Sequence, residues 1–111
     1  MVRFVCSALA ALLFASSASS ADALKSADMC ITDRLKTYAT NSCEPADTLI
    51  SAAQAACYDS IQDAIKENSL RKNEPLHESA KVMDLTFQKL QGRYRQAVIE
   101  FRIFAKRECK G

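Results

Sequence analysis

Two glycines and two prolines among 111 residues leave this chain few places to turn. A sheet domain needs turn residues about every 8–12 positions, so a β architecture is excluded in favour of long helices. Two glycines also cannot build a phosphate-cradling loop, and no serine stands in a Gly-x-Ser-x-Gly setting. Tryptophan is absent and aromatics make up only 7% of residues, which leaves no stacking platform for a nucleic acid. The one histidine, His77, has no cysteine close before it, and no two cysteines share a Cys-x-x-Cys spacing. Neither a metal site nor a cofactor is therefore expected. His77 lies between Glu74 and Glu78 at a predicted helix start and reads as exposed rather than as a general base. Asp59 and Asp63, four apart, fall on a solvated face. No catalytic residue is assigned, and an enzyme is the remotest functional reading.

What is present is periodicity. From Leu76 to Cys109, steps of four and three meet Leu76, Ala80, Met83, Phe87, Leu90, Tyr94, Ala97, Phe101 and Phe104. That is one apolar stripe on a helix of about nine turns, which needs partners to be stable in water. Gly92 interrupts the composition but not the phase, so one long helix is expected. Leu24, Ala27, Ile31, Leu35 and Tyr38 mark an earlier helix, and Ile50, Ala53, Cys57, Ile61 and Ala64 another. Glu44-Pro45 and Glu74-Pro75 repeat one helix-start device. The spacing predicts helices over about 22–39, 45–67 and 75–109. The expected fold is all-α: a small three-helix antiparallel bundle with a long C-terminal helix, stapled by two disulfides.

The first residues read differently. A basic Met1-Val2-Arg3, an apolar run from Phe4 to Ala15 and a small, mostly neutral stretch have the order of a secretory signal. The expectation is a signal peptide over 1–20, with cleavage at 20–23, and a single helical domain over 21–111. Twelve apolar residues are too few to span a membrane of about 30 Å as a helix. The predicted destination is a bacterial periplasm or the extracellular space, with no transmembrane segment left after cleavage.

Export leaves four cysteines, an even number that reads as two disulfides. Helices joined by short loops run antiparallel, so residues equidistant from a loop lie at one height. Folding about residue 42 sets Cys30 within a turn of Cys57, and Cys43 and Cys109 share the other end. Cys43 and Cys57 would stand about 18 Å apart along a helix, too far to bond. The preferred pairs close loops worth about 3.6 and 4.4 kcal/mol of chain entropy before any strain.

Charge is divided along the chain. Residues 21–66 hold four basic and seven acidic side chains; residues 67–111 hold ten and six. The basic half either salt-bridges the acidic helices or meets an anionic partner. Between Ala97 and Ala105 the sequence is apolar almost all round. Ile99 and Ile103 point away from the core stripe, and either a neighbouring helix covers them or they form a patch for a protein partner or a homodimer. The partner-binding candidates are Ile99, Ile103, Arg95, Arg102 and Lys106. The expected function is a small exported, non-catalytic binding or inhibitory module acting through the basic, apolar end of its last helix. The alternative is a structural or stress-protective, chaperone-like envelope protein.

Overall fold

A computed structural model of the protein describes residues 22–109. The expected signal over 1–20 lies outside the described residues. All secondary structure among them is helical: α1 (Asp22–Asn41), α2 (Ala46–Ala56), α3 (Tyr58–Lys72) and α4 (Leu76–Phe104). With 29 residues, α4 is the longest of the four.

Each proline stands just before a helix in an extended conformation, Pro45 ahead of α2 and Pro75 ahead of α4. The missing N–H falls where no intrahelical partner exists anyway. The single rod expected over 45–67 is instead bent at Cys57 and continues to Lys72. Helical hydrogen bonds reach Cys57 from both sides, from Cys57 N to Ala53 O and from Ile61 N to Cys57 O, both at 3.0 Å. The alanine-rich register passes through Cys57 unbroken, which is why periodicity alone does not reveal the bend.

The extension to Lys72 has a different cause. Asn68 and Ser79 are buried polar residues, and their side chains satisfy one another. Asn68 Nδ2 donates to Glu74 Oε1 and to Ser79 Oγ, both at 3.1 Å, while Ser79 Oγ donates to Glu74 Oε1 at 2.7 Å. This network joins α3 to α4 at their corner and lets a polar stretch stay helical. The helix then ends with Asn73 in the left-handed region at φ 51°. Asn73 N donates to Leu70 O and Glu74 N to Ser69 O, a Schellman turn.

The long helix stops by the same device, at Phe104 rather than Cys109. Lys106 takes φ 54°, its N–H donates to Ile103 O, and Arg107 N donates to Arg102 O. The chain can then turn toward the loop that carries Cys43. Cys43 bonds Cys109, and Cys30 bonds Cys57, with Cα separations of 5.3 and 6.0 Å.

The core is built from Ala27, Ile31, Leu35 and Ala39 of α1, with Leu49, Ile50 and Ala53 of α2 and Cys57 at the bend. Ala64 and Ile65 of α3 and Met83, Phe87, Tyr94 and Val98 of α4 complete it. Helix α1 contacts all three others. Three stripe residues prove exposed: Leu24, Leu76 and Phe104, the last at 90%. Val98, outside the expected stripe, is fully buried. The stripe marks the inward phase of a helix, but side chains in the terminal turns are covered from fewer sides, and Leu24, Leu76 and Phe104 all stand in the first or last turn of their helices.

Candidate functional site

Most of the cations on the last helix hold the domain together. Arg93 donates from Nη2 to Asp28 of α1 at 2.6 Å, and its guanidinium lies 5.9 Å from the Tyr94 ring centre. Arg95 meets Asp47, in the first turn of α2, through Nε at 2.8 Å and Nη2 at 3.4 Å. That hydrogen bond holds the Asp47 carboxyl below its ordinary pKa and raises the Arg95 guanidinium. The pair is exposed, so it adds little stability. Arg102 donates to the carbonyls of Ser42 and Glu44 at 3.0 and 2.6 Å, clamping the α1–α2 loop beside the Cys43–Cys109 bond. Arg107 reaches Thr40 O at 3.5 Å. Lys106 is exposed and provides the left-handed cap of α4. Of the charged candidates, Arg95 and Arg102 thus face inward partners, and Lys106 is left open to solvent.

The apolar candidates are placed differently. Ile99 and Ile103 are 51% and 69% exposed, so no neighbouring helix covers them. On the other side of α4, against α1, lies a groove of about 700 Å³ whose apolar surface comes from Met29, Ala97 and Phe101. A second hollow of about 410 Å³ is lined by Phe104, Thr40 and Ala105. Both hollows include Lys36 and Phe101, which makes them one trough running to the end of α4. Met29 and Phe104 stand exposed along it. The sequence reading missed the trough because it placed Phe104 in the core.

Tyr94 closes the buried side of the trough. Its hydroxyl donates to Asp28 Oδ1 at 2.7 Å. Burial, helped by this hydrogen bond, raises the phenol well above its ordinary pKa. Asp28 therefore accepts from both Tyr94 and Arg93, an arrangement that fixes α1 against α4 and leaves no free base.

His77 is exposed and lies 3.3 Å from Glu78 at the start of α4. Among the described residues, no group of three or more His, Cys, Asp or Glu side chains could hold a metal ion. No described helix is long and apolar enough to cross a membrane. No family model matches the chain, and no characterised protein or solved structure is detectably similar to it.

Proposed function

We propose that this protein is an exported, non-catalytic binding module whose working surface is the C-terminal end of α4. The observation that carries this reading is Phe104, 90% exposed beside the trough that Phe101 and Met29 line. A phenyl ring left in water at the end of a disulfide-tethered helix is surface available to a partner. The fitting partner is a protein that inserts an apolar segment into the trough, whose rim carries Lys36 together with the acidic Asp33 and Glu100. Ile99 and Ile103 extend the apolar surface around the helix.

The topology behind this reading takes α2 and α3 as one bent rod. The domain is then a three-rod antiparallel bundle in which α4 overhangs the others. Two disulfides suit an oxidising compartment, and a core of this size is marginal without such staples. A bacterial periplasm or the extracellular space meets that condition.

A stress-protective, client-binding role is the second reading. It is favoured by exposed large hydrophobics beyond the trough, including Tyr58, Leu70 and Val82. Salt separates the two. Immobilised mature protein is exposed to envelope or secreted proteins of the source cell, at low salt and at about 1 M, where the Debye length falls to about 3 Å. A module with a charged rim retains a discrete partner whose affinity changes with salt. Retention of many unrelated unfolded proteins, indifferent to salt, contradicts the module and supports the client binder.

A further inference from the structure

The outward face of α4 carries a pattern centred on a residue, Gly92, that packs against nothing in the domain. Gly92 is exposed, and a Cβ placed there would meet nothing within 4 Å. Glycine inside a helix is less stable than alanine, and packing within the domain gives no reason to keep it. Counting outward from Gly92 in both directions, the chemistry matches at steps of three, four, seven and eight. Lys89 and Arg95 lie three residues away, and Gln88 and Gln96 four. Leu85 and Ile99 lie seven away, Asp84 and Glu100 eight. Steps of four and seven return toward the same face of a helix.

The side chains repeat this symmetry in space. Gln88 donates to Asp84 Oδ2 at 3.0 Å and Gln96 to Glu100 Oε1 at 3.4 Å, each glutamine bonded to the acid on the far side from Gly92. Leu85 and Ile99 are 56% and 51% exposed, a matched aliphatic pair around a residue with no side chain.

A helix face that reads alike in both directions about one point complements an antiparallel copy of itself. We infer that a second copy of this chain occupies this face, related by a twofold axis through Gly92. Leu85 then packs on Ile99 of the second copy, and Ile99 on its Leu85. Gly92 opposes Gly92, where the missing side chain lets the two backbones approach. Helical spacing sets Lys89 of each copy beside the Gln96–Glu100 pair of the other, so opposite charges meet twice along the seam, while Arg95 stays with Asp47 of its own chain. Ile103 lengthens the seam to about 27 Å at 1.5 Å per residue. That is a small interface, suited to reversible rather than obligate association. The inference takes Ile99 and Ile103 from the surface proposed above but leaves out the Phe104 hollow, which opens on the α1 side of the helix.

The test uses the disulfide-intact mature protein. Sedimentation equilibrium is expected to show the mass doubling as concentration rises. Gly92→Lys, which sets two ammonium groups on the axis, is expected to hold the mass at that of a monomer with helicity unchanged. Gly92→Cys is expected to form a linked dimer under mild oxidation. Leu85→Cys and Ile99→Cys should link to each other when mixed, and neither to itself. A wild type that stays monomeric into the millimolar range overturns the inference, as does a dimer that survives Gly92→Lys. Self-linking of Leu85→Cys would indicate a parallel pair and overturns the twofold. A monomeric wild type that instead loses a different protein on Leu85→Asp assigns the face to that protein and overturns the second copy as occupant. Phe104→Asp is expected to leave dimerisation intact, so failure of the trough reading leaves this result unchanged.

Discussion

The Tyr94 hydroxyl donates to Asp28 Oδ1 at 2.7 Å, joining α4 to α1 across 66 residues of sequence. Its pH consequence has a definite sign. The phenol is raised above its ordinary pKa of 10.0, chiefly by burial. In the unfolded chain it ionises near 10, while in the folded chain it stays protonated. The stability it contributes is therefore full below about pH 10 and is lost as pH rises above that value. Tyr94→Phe should cost about 1 kcal/mol at neutral pH, the usual net worth of one hydrogen bond. It should also flatten the alkaline decline, as measured by thermal melts between neutral pH and about pH 11. A decline of unchanged steepness in Tyr94→Phe would remove Tyr94 as its source.

The two disulfides differ in accessibility. Cys57 is only 2% exposed, whereas Cys43 lies on the surface. Mild reduction followed by alkylation is expected to label Cys43 and Cys109 first, with Cys30 and Cys57 still joined. Replacing both Cys43 and Cys109 by serine should lower stability by up to about 4 kcal/mol on the chain-entropy model, mostly by freeing the segment after α4. Mass spectrometry of the labelled peptides decides the order, and early labelling of Cys57 would contradict it.

Lys106 allows its structural and binding roles to be separated. At φ 54° it adopts a conformation that costs a side-chain-bearing residue roughly 1–2 kcal/mol and glycine almost nothing. Lys106→Gly should therefore raise the melting temperature, and Lys106→Val should lower it. A destabilised Lys106→Gly would show that the lysine side chain matters more to this end of α4 than its backbone geometry does.

Asn68 is the hinge of the α3–α4 corner. Asn68→Ala removes the amide that donates to Ser79 Oγ and Glu74 Oε1, at an expected cost of about 1–3 kcal/mol. Asn68→Ala together with Ser79→Ala should cost less than the sum of the two single changes, because they belong to one network. Additive losses in urea titrations would mean the network is not cooperative.

These particulars explain how much of the protein could be read in advance. The scarcity of glycine and proline leads directly to helices, and the two Glu-Pro pairs to the starts of α2 and α4. Helix height arithmetic ranks first the cysteine pairs that the structure contains. Helix ends are less legible, because both Schellman turns place an ordinary residue, Asn73 or Lys106, where glycine would have signalled a stop. Asn68 and Ser79 disguise a helical corner as a loop, since a buried polar network looks like solvent-facing polarity in a linear sequence. The candidate surface is half legible. The apolar excess of Ala97–Ala105 stands out, but whether Phe104 or Val98 is the buried residue depends on which neighbouring helix is present at that height.

The claim that the end of α4 is the working surface rests on Phe104, and one comparison tests it most directly. Wild-type mature protein and Phe104→Asp are immobilised side by side, exposed to the same envelope or secreted proteins, and checked for equal melting temperature. With its ring in solvent, the substitution should leave the fold unchanged and abolish retention of the discrete partner. Equal retention by both proteins, at equal stability, would contradict the account.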